Sequence, residues 1–140
     1  MATSTSAAVT PITGLVPMIR VSDVERSAVF FRLLGFEIGN TVPRTGKPHW
    51  AWLYQPKAES WKRGANLMLV TGERPPKPDA YEALYYLYAT DLVATREQLM
   101  AAGVKVSEIS HPEYLPAGEF STEDPDGHPL VIAQSAEDTP

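Results

Sequence analysis

The sequence predicts an α+β fold in which two βαβββ modules form a curved mixed sheet around a cavity, with the helices outside. Three observations predict it. A short apolar run, a hydroxyl-Asp pair, a helical stretch and a glycine recur in the same order in both halves, offset by 68 positions. The helix-opening Asp and the closing Gly are twelve positions apart both times, at Asp23–Gly35 and Asp91–Gly103. Near the C-terminus, Asp124-Pro125-Asp126-Gly127 separates two strand-like runs. There the proline presets φ and the glycine supplies φ > 0, as a hairpin turn requires.

Each element follows from its residues. LVPMIRV (15–21) is a short apolar strand, closed by Ser22-Asp23. In the first helix Val24, Ser27, Phe31 and Leu34 fall on one face at period 3.6, and Leu92, Thr95, Leu99 and Ala102 take the equivalent places in the second. Ser22 and Thr90 are the candidate N-caps, with Ser22-x-x-Glu25 fitting a capping box. Gly35 and Gly103 suit the left-handed position that ends a helix. Strands are expected at FEIGN, HWAWLYQ (49–55) and ANLMLVT (65–71) in the first module. The second module repeats this with LYYLYA (84–89), VKVSEI, GEFSTED (118–124) and HPLVIAQ (128–134). Proline and glycine mark the loops at 43–48, 56–64, 72–79 and 110–118.

A chain of 140 residues fits one domain, expected over 14–134 with modules at about 14–72 and 80–134 and flexible tails at 1–13 and 135–140. The absence of cysteine excludes a thiol catalyst and a Cys-type zinc site. A net charge of −5 argues against a nucleic-acid footprint and towards a cationic partner. No apolar run is long enough to span a membrane, and MATSTSAAVTPITG lacks the basic segment and apolar core of a secretory signal. A cytoplasmic protein is expected.

The stretches VPMIRVSDVERSAVFFRLLGFEIG, YLYATDLVATREQLMAAGVKV and FSTEDPDGHPLVIAQ resemble the vicinal oxygen chelate superfamily, also called the glyoxalase/bleomycin-resistance/dioxygenase family. The likeness covers roughly 14–134. It implies a homodimer whose paired modules curl around a ligand cavity. It also implies a divalent metal held by His, Gln or Glu from the first and last strands of each module. The positions it points to here are Val16, Leu84 and Val131, with Asn66 the only donor in the fourth place. A hydrocarbon cannot coordinate a cation. The neighbours Pro17, Tyr85, Leu130 and Ile132 supply no metal-binding trio either, so a slip of one residue does not restore the site. The chain therefore looks most like the metal-free bleomycin-resistance branch, with no cofactor expected.

The candidate ligand-binding residues are Arg20, Trp50, Trp52, Tyr54, Trp61, Tyr86, Tyr88 and Glu119. Trp50, Trp52 and Tyr54 share a strand face by alternation, as do Tyr86 and Tyr88. The resemblance turns those faces towards the cavity, along with Met18 and Arg20. Aromatic side chains stack on planar ligands, and Glu119 and Glu123 would select positive charge. Core or dimer packing explains the same stripes equally well. His49, His111 and His128 match no zinc spacing and read as solvated or hydrogen-bonded loop residues. No Ser-His-Asp arrangement, phosphate-cradling glycine loop or dinucleotide fingerprint is present.

The expectation is a small-molecule-binding protein that sequesters an aromatic or cationic ligand without metal chemistry. The alternative is a metal-dependent lyase or ring-cleaving dioxygenase with a site rebuilt from the histidines and Glu119. A third reading is a structural module whose cavity is filled by its own side chains.

Overall fold

Trp50-Ala-Trp-Leu-Tyr54 alternates aromatic with smaller apolar residues, and only Ala51 and Leu53 of the five are buried. The same rule holds in Asn66–Val70, where Leu67 and Leu69 turn inward. Period-two burial of this kind makes a sheet with one face on the core and the other open. The computed structural model describes residues 15–60, 63–72 and 84–135. The expected tail at 1–13, the expected tail at 135–140 from residue 136 onward, Trp61, and the 72–79 loop from residue 73 onward lie outside the described residues.

The first module runs β1 (Met18–Arg20), α1 (Val24–Arg32), β2 (Glu37–Val42), β3 (Trp50–Tyr54) and β4 (Asn66–Val70). Its sheet has the order β1-β4-β3-β2, with β1 parallel to β4 and the other pairs antiparallel. The second module runs β5 (Tyr85–Ala89), α2 (Leu92–Ala101), β6 (Glu119–Glu123) and β7 (Pro129–Gln134), in the sheet order β5-β7-β6. There β5 and β7 are parallel, and β6 and β7 form the antiparallel hairpin closed by Asp124–Gly127. The fold is the mixed α+β repeat that the sequence predicts.

Three local expectations are corrected. Ser22 and Thr90 do not cap the helices. Asp23 and Asp91 do, accepting from Arg26 N at 3.1 Å and Ala94 N at 3.0 Å, while the Ser22 hydroxyl bonds Asp126. A carboxylate at the cap also meets the positive end of the helix dipole, which a hydroxyl does not. Ala102, placed on the inner face by periodicity, is the exposed C-cap of α2. The segment VKVSEI forms no continuous strand. It holds the strand's place beside β6 through isolated bridges at Val106–Thr122 and Ser110–Glu119. The cause is competition from side chains. Arg96 Nε takes the Ser107 carbonyl at 2.8 Å, so Ser121 N–H bonds the Ser107 hydroxyl, and Thr122 Oγ1 takes the Lys105 carbonyl.

The helix ends follow expectation. Gly35 and Gly103 have φ of 91° and 82°. The next amides, Phe36 N and Val104 N, return to the Phe31 and Leu99 carbonyls at 3.1 and 2.9 Å, the bond pattern of a Schellman end.

A single core cluster runs through both modules, from Ile19, Phe31 and Leu69 to Leu99, Phe120 and Ile132. Helix α1 buries the adjacent Phe30 and Phe31, which lie on different helical faces. One covers its own sheet, while Phe30 also lines a groove of about 750 Å³ with Val104, Val106, Asp124 and Pro129 of the second module. No helix among the described residues is long and apolar enough to cross a membrane.

Candidate functional site

Strand pairing fixes what each outer face presents. Arg20, Val70, Trp50 and Val42 stand in one row across the first sheet, and Met18, Met68, Trp52 and Asn40 in the next. Asn66 and Tyr54 pair in a third. The Trp52 and Tyr54 rings stack with centroids 5.1 Å apart and 14° between planes. Trp52 Nε1 donates to Asn66 Oδ1 at 3.0 Å, and Asn66 Nδ2 donates to the Gly64 carbonyl at 3.1 Å, which fixes the indole's orientation. A Cβ on Gly39 would lie 2.4 Å from two atoms of that indole. The glycine sits at a shift in the β2–β3 register, so the ring rests directly on the backbone. Arg20 is seated the same way, since a Cβ on Gly72 would come within 1.7 Å of its Nη1.

On the second sheet the rows are Tyr86–Val131–Ser121 and Tyr88–Ala133–Glu119. The Tyr86 hydroxyl reaches diagonally to one oxygen of Glu119, and the Tyr114 hydroxyl donates to the other at 3.0 Å. Tyr86 and Tyr88 lie 5.6 Å apart, tilted by 45°. Ala133 shares this outer face by its pairing and yet is 0% exposed, so the surrounding side chains roof it over. The hydrogen bond to Glu119 holds both phenols, Tyr86 and Tyr114, above the usual tyrosine range, because ionisation would set a phenolate against a carboxylate.

Of the residues singled out from sequence, Trp50, Trp52 and Tyr54 share the first face with Arg20, and Tyr86, Tyr88 and Glu119 share the second. Trp61 lies outside the described residues. Glu123 instead lines the groove beside Phe30. Gly39, Gly72, Asn66 and Tyr114 complete the two faces and were not read as ligand-binding residues. An isolated glycine inside a strand pattern signals close approach and could have marked Gly39; nothing in the sequence marks Tyr114 as a partner of Glu119.

The histidines separate. His49 is exposed at the start of β3, and His111 Nδ1 lies 3.0 Å from the Pro116 carbonyl. His128 is buried rather than solvated, its Nδ1 2.7 Å from Asp124 Oδ2. Asp124 Oδ1 also accepts from the backbone of Asp126 and His128, which ties the turn together. Among the described residues no three His, Cys, Asp or Glu side chains are grouped to hold a metal ion, so His49, His111 and Glu119 do not come together.

A family profile described as Glyoxalase/Bleomycin resistance protein/Dioxygenase superfamily matches residues 14–132. The chain belongs to this superfamily. Among solved structures, the superfamily fold recurs in a bleomycin resistance determinant encoded on the transposon Tn5. That protein is 18% identical, with 87% of this chain and 97% of that one covered and a TM-score of 0.65. A bleomycin-binding protein complexed with bleomycin is 20% identical, at 88% and 98% coverage and a TM-score of 0.64. TnmS3, an antibiotic-binding protein from Streptomyces sp. CB03234, is 20% identical, at 93% and 99% coverage and a TM-score of 0.67. No curated protein matches. Within the superfamily frame, the positions that the resemblance assigns to a metal do not fit one. Val16, Leu84 and Val131 offer only hydrocarbon, and the Asn66 oxygen accepts from Trp52.

Proposed function

We propose that this superfamily member sequesters an aromatic or cationic small molecule by binding, without metal chemistry, in clefts shared between the two subunits of a homodimer. The observation that carries this reading is the pair of outer sheet faces, each holding an ordered aromatic cluster, Trp52 with Tyr54 on the first and Tyr86 with Tyr88 on the second. Trp52 and Tyr54 are stacked, hydrogen-bonded through Asn66 and seated on Gly39, which gives a planar ligand a rigid surface to stack on. Edge strand β1 leaves Met18 55% exposed, and β5 with the residue before it leaves Tyr88 52% and Leu84 51% exposed, area that a second subunit would cover. The bleomycin-binding and antibiotic-binding proteins of this fold support the ligand class. We read residues 14–134 as one domain of a cytoplasmic protein with no nucleic-acid or membrane partner.

The test is quenching of tryptophan fluorescence by metal-free bleomycin and by the planar cation proflavine, with sedimentation to measure the mass. Saturable quenching by either compound in a dimer, weakened about tenfold or more in Trp52→Ala, is expected. A thermal-shift titration with Mn²⁺, Fe²⁺, Co²⁺, Ni²⁺ and Zn²⁺ is expected to give no chelator-reversible rise, because only a ligand of the native state raises its stability. A saturable rise would favour the lyase or dioxygenase reading.

A further inference from the structure

We infer that Tyr86, Tyr88, Tyr114 and Glu119 form an aromatic cage that selects an N-alkylated ammonium group on the ligand. The inference rests on the ligand-binding reading above and names the chemistry of one end of that site.

A carboxylate on an exposed sheet face ordinarily keeps all its lone pairs for water. Here each Glu119 oxygen receives a phenol, from Tyr86 on β5 and from Tyr114 on the loop before β6. The two phenols take two of its four acceptor sites, so Glu119 by itself cannot return all three hydrogen bonds that a primary ammonium gives up on leaving water. The negative charge itself is not removed, because both phenols stay protonated. A cation with no N–H, or with one, has few hydrogen bonds to recover and still feels that charge.

The rings supply the rest. Tyr86 and Tyr88 stand 5.6 Å apart with 45° between their ring planes, close enough for one cation to meet both. Tyr114 is tethered to the same carboxylate from the loop before β6, and the residue is 73% exposed. Ala133 lies between Tyr88 and Glu119 in the row and is fully covered, so the side chains of this face close over the sheet and present their rings outward. Several aromatic faces around one buffered negative charge recognise alkylated ammonium through cation–π attraction, while repaying little of the hydration of a primary amine.

The full chain is titrated with choline, with its neutral tert-butyl isostere and with ethanolamine, each followed by the tyrosine ring signals in NMR spectra. Choline is expected to bind about tenfold more tightly than either comparison compound. Glu119→Gln keeps a hydrogen-bond acceptor in place, so the fold is retained as judged by circular dichroism, and it is expected to abolish the preference for choline over the isostere. Tyr88→Leu is expected to weaken choline about tenfold with the fold retained by circular dichroism, and an unchanged choline affinity overturns the cage. Equal binding of the isostere or of ethanolamine overturns the cage. If proflavine binds and choline shows no preference, the cage falls and the ligand-binding reading stands. If neither proflavine, bleomycin nor choline binds, both fall.

Discussion

Gly39 has no side chain, and the Trp52 indole occupies the place where one would begin. Gly39→Ala is therefore expected to push the indole off Tyr54, because a Cβ 2.4 Å from two ring atoms leaves the ring no room where it stacks. Overpacking of this kind costs about 1–3 kcal/mol. Near-ultraviolet circular dichroism reads the loss of the stack, and an unchanged tryptophan signal would refute it. Glu119 also makes stability depend on pH through Tyr86. Because its hydrogen bond raises the Tyr86 phenol, the stabilisation it gives is complete below the ordinary tyrosine value of 10.0. That stabilisation is lost only as pH climbs through the higher folded value. Alkaline titration of Glu119→Gln, followed by phenolate absorbance, should show a tyrosine that ionises earlier than in the native chain. The aromatic half of each cluster is legible in the sequence by alternation. The glycine seats and Tyr114 are not, because they meet their partners across strands and loops that only pairing brings together.

The two helices show how a repeated pattern becomes repeated structure. Identical spacing from Asp to Gly yields an Asp cap and the same Schellman return in both modules. Asp23 is held below the usual carboxylate value of 3.8, first by the Arg26 backbone amide it accepts from. A depressed folded value means that the cap's contribution is present above pH 3.8 and fades as pH falls through the lower folded value. Asp23→Ala should cost about 1 kcal/mol at neutral pH. The gap in melting temperature between the variant and the native chain should narrow in acid. A gap that stays constant with pH would mean that the carboxylate charge does not act at the cap. Reading Ser22 and Thr90 as caps failed for a tertiary reason. The Ser22 hydroxyl is drawn to Asp126, about a hundred residues away in sequence. VKVSEI has the alternation of a strand, but Arg96 from α2 takes one of its ladder carbonyls.

At the scale of the molecule, the turn after β6 joins the modules. Asp126 is almost buried and accepts from Ser22 N at 3.1 Å and from Arg26 Nη2 at 2.8 Å, both at the start of α1. Asp124 in the same turn serves His128 and two backbone amides. Removing it leaves several buried donors without an acceptor, so Asp124→Ala should cost about 3 kcal/mol. Asp126→Ala should cost less, since Arg26 is half exposed and can rehydrate. Its signature is faster amide hydrogen exchange in the first turn of α1, with β7 unchanged. Equal acceleration in both would mean that the turn holds only its own module.

The sequence by itself determined the repeat, the strand and helix periods, the glycine ends, the hairpin turn, and the hydrocarbon at the positions a superfamily metal would need. These are local or spacing properties, set by φ/ψ preference and by which atoms a residue carries. Tertiary structure decided which acid caps which helix, which segment completes a ladder, and which phenols share Glu119. Those choices are competitions between partners distant in the chain, and their outcome depends on where folding places each donor relative to the acceptors within its reach.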